Sequence, residues 1–275
     1  MASNRKALCV GINQFKNYSS SNLQGCVNDA HDMGALLKDF LGFTAADITT
    51  LTDAQATKAN IMSSLKSMVA DAKAGKYSYL VFSLSSHGTQ MPDASGDEPD
   101  RADEAFCPYD LGQKGNQWDP ARIILDDELR DLFIQLPPHV LLEVYLDTCH
   151  SGDGLRTMDL LLDRKPRFLP PPSLEAFKKV EGRRTRGVGK SVLDRSLTHH
   201  ILWAGCRANQ TSADARIGGA YHGAFTYYFC KELRGCKNSL SRAALLKKIR
   251  ADLKGNFTQI PQLESSATTR NKKIG

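Results

Sequence analysis

Two stretches of this 275-residue chain constrain its fold more than any others: YSYLVFSLSSHG (77–88) and VLLEVYLDTCHSG (140–152). Each stays apolar at nearly every position instead of alternating, which is the pattern of a strand covered on both faces, and each stops at a polar turn that contains glycine. Strands of this kind belong to the mostly parallel sheet of an α/β protein, where ligands and chemistry gather at the carboxyl ends of the strands. The first stretch brings His87 to such an end and the second brings Cys149.

The rest of the chain reads in the same way. KALCVGI (6–12) is a further buried strand; residues 23–40 carry Val27, Met33, Leu36, Leu37 and Phe40 at helical spacing, with Gly42 as a stop. A short strand is expected over 48–51, a Thr-capped helix over 57–72, and a helix within 123–136 beyond Asp126. HILWA (200–204) is another strand, followed by a helix over 224–233 and a basic amphipathic helix over 242–253 whose cations are expected in solvent. Between 163 and 196 the periodicity stops at Pro166, Pro170, Pro171 and Pro172, as in an exposed loop. That gives three parts, 1–162, a basic Pro-rich linker 163–196 and 197–275, expected to form one domain.

The net charge of +6 would suggest nucleic acid or an anionic surface if it covered a face. Instead it is concentrated in residues 164–195, which hold ten Lys and Arg against three Asp and Glu with no aromatic platform for bases. RGVGKS (186–191) is not a phosphate loop, because Arg184 stands where the first glycine belongs and no strand precedes it. No apolar run reaches membrane-spanning length and no signal-peptide core opens the chain; seven cysteines without a CxxC pair fit reduced thiols. The expectation is a cytoplasmic protein that binds neither membrane nor nucleic acid.

A thiol becomes a strong nucleophile only once ionised, and a neighbouring imidazole is the common means. His87 and Cys149 end strands of one predicted sheet, so a Cys-His dyad needs only that those strands be neighbours; the bland alternative is an inert buried thiol. Gly88 and Gly152 let backbone approach a substrate, and the amides of Gly88 and Cys149 suit a developing oxyanion. Asp147 is either a solvated strand-end acid or a group that faces a cationic substrate side chain.

Five motifs in series then carry a resemblance over nearly the whole chain: GCVNDA (25–30), SSHGTQ (85–90), DTCHSG (147–152), CRANQTSADARIGGAYHGAFTYYF (206–229) and IPQLESS (260–266). The chain resembles the metacaspases, type I-like and without an N-terminal prodomain. The resemblance implies a caspase-type three-layer α/β sandwich in which 1–162 is the large-subunit-like region and 197–275 the small-subunit-like region. It implies a monomeric cysteine endopeptidase without organic cofactor that cleaves protein or peptide substrates after Arg or Lys through a thioester. Cys149 would be the nucleophile and His87 the general acid and base; Cys26, Asp29, Ser85 and Asp147 would line the pocket for the basic side chain. No matched pocket position is the Arg that an Asp-specific caspase requires. The rival expectation is a caspase-fold interaction module without turnover.

The same resemblance implies calcium near the active site, held by Asp103, the pair Asp126 and Asp127, and an acid shortly after the nucleophile. There the chain has Arg156, which cannot ligate calcium, so Asp153 or Asp159 would have to substitute. Ser86 stands where the family has Gly, at about 1 kcal/mol if that position needs a positive φ. In the basic linker, Arg183, Arg184, Arg186 and Lys190 are candidate self-cleavage sites, against the plainer reading of a solvated connector. His199, His200 and His222 lack metal-ligand spacing and are expected to be structural, and Cys9, Cys107, Cys206, Cys230 and Cys236 to be ordinary thiols.

Overall fold

The two constraining stretches are neighbouring strands. In the computed structural model, which describes residues 3–92, 102–150, 164–173, 192–194, 197–207 and 210–275, the strands in chain order are β1 (Arg5–Gly11), β2 (Ile48–Thr52), β3 (Tyr79–Ser85), β4 (Gly88–Pro92), β5 (Ala102–Phe106), β6 (Gln113–Lys114), β7 (Gln117–Trp118), β8 (Ile124–Leu125), β9 (Leu141–Asp147), β10 (Arg164–Pro166), β11 (His200–Ala204), β12 (Ala213–Ile217), β13 (Ala220–Gly223) and β14 (Gln262–Glu264). The helices are α1 (Cys26–Phe40), α2 (Lys58–Lys73), α3 (Asp126–Phe133), α4 (Ala224–Cys236), α5 (Arg242–Leu253) and the short α6 (Ala267–Arg270).

A six-stranded sheet in the order β14-β11-β9-β3-β1-β2 runs through the middle. Every pairing in it is parallel except β11 with β14. Alternate residues feed opposite faces, as the pleat requires. Leu8, Val10, Phe82, Leu84, Val144 and Leu146 meet Ile61, Leu65 and Val69 of α2 and Leu129 and Phe133 of α3 on one side. On the other, Ala7, Cys9, Val81, Tyr145, Ile201 and Trp203 meet Met33 and Leu37 of α1, Phe225 and Phe229 of α4 and Leu245 and Ile249 of α5. Strands covered on both faces are why the sequence stays apolar at consecutive positions. The result is a three-layer sandwich with helices on both sides.

Helix starts follow local chemistry. Thr57 caps α2 by accepting from the Asn60 amide at 3.2 Å, and Ser241 caps α5 through the Ala244 amide at 3.3 Å. α1 begins three residues later than its apolar spacing suggests because its first amides are tied elsewhere. The side chain of Asn13 accepts from Cys26 at 2.8 Å, and Asp214 accepts from Gln24 at 2.8 Å and Gly25 at 3.0 Å.

The structure corrects the expectation for α5 in one respect. Arg242 is in the interior, forking onto Glu143 of β9 with Nε–Oε1 at 2.8 Å and Nη2–Oε2 at 2.9 Å. Glu143 also accepts from Tyr79 at 3.0 Å and Trp203 at 2.9 Å. A carboxylate in the centre of a buried strand needs such partners. The linker expectation is corrected as well: its first described part, 164–173, is no solvated connector. β10 pairs antiparallel with β12, and Arg167 is fully buried.

Candidate active site

In the register of β3 with β9, Ser85 lies opposite Asp147. His87 and Cys149 each follow two residues later, so the two sequence-predicted catalytic residues leave adjacent strand ends side by side. β4 and β5 then fold back next to them, and Gly88 is required there for space. A Cβ at Gly88 would run into the Cys149 backbone carbonyl and sit 2.9 Å from Nε2 of His150. Ser86 does not adopt a positive φ. Its hydroxyl donates to the Cys107 carbonyl at 2.7 Å, so the departure from glycine is absorbed by a hydrogen bond.

His87 is buried against Phe15, with ring centroids 5.2 Å apart. Its Nε2 lies 2.7 Å from the Ser21 carbonyl. A carbonyl only accepts, so Nε2 carries the proton and Nδ1 keeps the lone pair. Nδ1 makes no hydrogen bond among the described residues. Burial lowers the His87 pKa to about 4, against the Ser21 bond, so the ring is a neutral base near pH 7.

The Cys149 thiol is buried, and it engages the amide of Ser212 and, at 3.4 Å, the Ser212 carbonyl. Cys206 is not the ordinary thiol expected of it. It packs with Cys149 and Phe168, and its pKa is pushed well up, first by its bond to Cys149 and then by burial.

The expected basic pocket is occupied from within the chain. The Arg167 guanidinium reaches Asp29 at 2.7 Å and Asp214 at 2.9 Å through Nη2, and Asp147 at 3.3 Å through Nη1. Asp29 and Asp147 are two of the four residues that the resemblance implies for that pocket. Cys26 is close enough to the same cluster for its thiol to feel the charges of Arg167, Asp214, Asp29 and Asp147, after burial, which pushes its pKa well up. Ser85 is buried at the adjoining strand end. Asp214 is the acid that sequence reasoning missed. It stands in the SADARIGG part of a quoted motif, where nothing in the local pattern separates it from a strand-edge aspartate.

All three carboxylates are held in place before any ligand arrives. Asp29 accepts from the Gly223 amide at 3.0 Å, Asp147 from the Thr226 amide at 3.0 Å and hydroxyl at 2.8 Å and from the Ser212 hydroxyl, and Asp214 from the amides ahead of α1. Burial alone would raise Asp29, but Arg167, His222 and the Gly223 amide bring it below the usual carboxylate range. For Asp147 burial prevails over Arg167 and raises the pKa. Burial opposes the charge on Arg167, and the surrounding Cys26, Asp29, Asp147 and Asp214 nonetheless hold it protonated. His222 flanks the pocket, 3.4 Å from Asp32. His199 and His200 meet edge to face, with ring centroids 4.4 Å apart.

The Arg167 backbone is placed as tightly as its side chain. Its carbonyl accepts from the amides of Gly88 at 2.9 Å and Cys149 at 3.2 Å, the two donors expected for an oxyanion. Its own amide donates to the Ser212 carbonyl at 3.0 Å. The calcium donors are less complete. Asp103 and Asp126 are buried, Asp127 pairs with Arg130 at 2.8 Å, and no three acids, imidazoles or thiols converge to hold a metal among the described residues. Asp153, Arg156 and Asp159, like Gly152, Arg183, Arg184, Arg186 and Lys190, lie outside the described residues. What is described falls short of the six to eight oxygens calcium takes.

A caspase-domain family model matches residues 4–272. The chain belongs to the caspase-domain family. The chain is 32% identical to Metacaspase-1 of Cryptococcus neoformans and 33% identical to Metacaspase-1A of Aspergillus fumigatus, over 95% of its length in each case. It spans 62% and 68% of the length of those two relatives. Among solved structures, a Geobacter sulfurreducens protein superposes with a TM-score of 0.67 at 25% identity, covering 98% of this chain and 97% of that one. Caspase-1 of Spodoptera frugiperda superposes with a TM-score of 0.60 over 95% of this chain and 88% of its own, at 13% identity, a likeness of fold alone. The chain thus carries a cysteine-peptidase domain of the caspase type. No described helix is long and apolar enough to cross a membrane.

Proposed function

We propose that this caspase domain is a cysteine endopeptidase that cleaves peptide bonds after Arg or Lys, acting as a cytosolic monomer. One observation carries the reading: an arginine side chain lies fully buried among three carboxylates while its carbonyl is held by the amides of Gly88 and Cys149. A pocket of fixed acids beside a nucleophile selects a cationic P1 residue, and two fixed amides at the scissile carbonyl stabilise the oxyanion as charge develops there.

The chemistry follows from the residues present. Sγ of Cys149 leaves the Ser212 backbone by a χ1 rotation, loses its proton to Nδ1 of His87 and attacks the carbonyl carbon. The Ser21 carbonyl keeps the Nε2 proton in place, so Nδ1 is the nitrogen that gains a proton and then gives it to the leaving amine. Water hydrolyses the thioester with His87 again as base. Arg is favoured over Lys because its planar fork engages several carboxylates at once.

Calcium stimulation belongs to this reading only as far as the donors go. Asp103, Asp126 and Asp127 are the groups the cation would take, with a further acid from 151–163, and no step above passes through it. The test is hydrolysis of Arg and Lys peptide reporters by the wild type and Cys149→Ala, each with added Ca²⁺ and with chelator. Wild-type turnover after Arg and Lys that disappears in Cys149→Ala is expected. Equal background signals from both proteins in every condition would overturn it in favour of an interaction module.

A further inference from the structure

We propose that His222 decides how strictly the pocket demands a cation: with its ring neutral the three acids select a basic P1 side chain, and with its ring protonated they lose most of that preference. The proposal rests on the preceding assignment of the acidic pocket, and it adds a residue outside the carboxylates that form it. His222 acts through Asp29, so it is a positioning residue and not a catalytic one.

The hairpin of β12 with β13 sets the ring behind the pocket. Asp214 pairs with Gly223 and Ala215 with His222, so a pocket acid and the imidazole are one step apart in the register. Nδ1 of His222 lies 3.8 Å from Oδ1 of Asp29, the carboxylate whose Oδ2 meets the Arg167 guanidinium at 2.7 Å. The same nitrogen lies 3.4 Å from Oδ2 of Asp32, which is three residues along α1 from Asp29 and so shares its face. Asp32 in turn pairs with Arg234 of α4 at 2.8 Å. Tyr227 of α4 is the other titratable group against the ring, with centroids 5.3 Å apart, and β12 presents only Ala215 opposite it. A line of ionisable groups therefore runs outward from the pocket through Asp29, His222, Asp32 and Arg234. Asp29 is 1% exposed and cannot meet solvent protons directly, whereas the His222 side chain is 13% exposed and can.

An imidazole changes charge between about pH 5 and 8, and here the proton would arrive beside a carboxylate already committed to the P1 cation. Only Asp29 separates the two positive groups. Like charges roughly 7 Å apart at an effective dielectric near 20 oppose one another by more than a factor of ten in binding, and partial access to water leaves about tenfold. An uncharged P1 side chain feels no such repulsion. Preference for Arg and Lys is therefore complete while His222 is neutral and falls as the pH drops and the ring gains its proton. The coupling is reciprocal, so a bound P1 cation weakens proton binding at His222 by the same factor. His87 stays neutral down to about 4 and acts on every substrate alike, so it cannot produce this selective loss.

The experiment measures kcat/KM for reporters with P1 Arg and P1 citrulline between about pH 5.5 and 8, using the full chain as wild type, His222→Gln, His222→Lys and Asp32→Asn. The Arg-to-citrulline ratio cancels every effect that both substrates share, the titration of His87 and competition by Arg167 included. Asp147, raised by burial, titrates in all four proteins, so the share due to His222 is the difference between wild type and His222→Gln. The wild-type ratio is expected to fall about tenfold further than that of His222→Gln across this range. His222→Lys, a fixed cation, should keep the ratio low throughout. Asp32→Asn removes an anion that favours the protonated ring, so the fall should move about one pH unit lower. A wild-type ratio that does not change with pH, or that falls equally in His222→Gln, overturns the proposal and leaves the pocket assignment standing. Should His222→Gln fail to fold, Asp32→Asn decides, because an unmoved fall overturns the proposal with the imidazole still in place. A wild type that cleaves the reporters without preferring Arg to citrulline at any pH brings down the pocket reading itself.

Discussion

Replacing Asp214 with Asn isolates what a charge in the pocket contributes, because the side chain keeps its shape and one acceptor oxygen. In the structure Oδ1 of Asp214 lies 2.9 Å from the Arg167 guanidinium, the place a substrate arginine would take. A hydrogen bond to a charged partner contributes about 1.5–3 kcal/mol and a neutral one about 0.5–1.5 kcal/mol, so losing the charge removes about 1–2 kcal/mol. At 1.36 kcal/mol per factor of ten, kcat/KM for an Arg peptide should fall roughly 5- to 30-fold. Asn also turns an amide donor towards the Gln24 N–H that Oδ2 now accepts from at 2.8 Å. That mismatch costs about 1–3 kcal/mol of stability, which thermal unfolding reads separately. The assay compares P1 Arg with P1 citrulline, its uncharged near-isostere, in the Arg167→Gln background so that the internal arginine does not compete. The Arg-to-citrulline ratio should shrink by the same factor while citrulline turnover barely changes. A ratio equal to that of the parent would refute the claim that Asp214 reads the substrate's charge.

Arg242→Met should lower stability by about 3–5 kcal/mol, since it strands the Glu143 carboxylate in the core. The double variant Glu143→Gln with Arg242→Met should recover part of that, and denaturant titration with a loss below about 1 kcal/mol would refute the role of the pair. A second prediction concerns acid. Burial holds His87 near 4, His150 near 3 and His200 near 4, all below the unfolded value of about 6.5. The unfolded chain therefore binds more protons, and the stability these neutral rings confer is complete above about pH 6.5 and lost as pH falls through 4 and 3. The loss is about 3 kcal/mol for His87 alone, and unfolding curves that do not shift between neutral pH and about pH 4 would contradict it.

The parts of the fold that the sequence discloses are those with long, unambiguous periods. β3 and β9 are recognisable because strands buried on both faces stay apolar, and α5 falls on its expected bounds because Ser241 provides a cap. β10, β6, β7 and β14 are too short to show any period. The burial of Arg242 escapes helical-wheel reasoning, which sends cations outward, although Glu143 inside an apolar strand was a sign that a cation had to reach it. His87 and Cys149 are legible because each directly follows a strand. Asp214 and Arg167 are not, because a pocket assembled from α1, β9, β10 and β12 depends on tertiary pairing, and one arginine among ten linker cations looks like any other.

The two buried arginines are used differently by the fold. Arg242 uses Nε, Nη1 and Nη2, joining β9 to the carbonyls of Thr269, Lys272 and Lys273, so every part of its fork ties packed elements together. Arg167 bonds only through its terminal nitrogens, and Nε makes no hydrogen bond among the described residues. A buried charge cluster is a weak source of stability compared with apolar packing, so a half-used guanidinium among three acids is poorly explained as a fold element. Under the proposed specificity it is explained as a cation standing in a site that would read the end of a long basic side chain. Such a site would measure charge at a fixed depth and leave the middle of the side chain unread. That is the geometry in which Lys, with its charge at comparable reach but without the fork, would be accepted second to Arg.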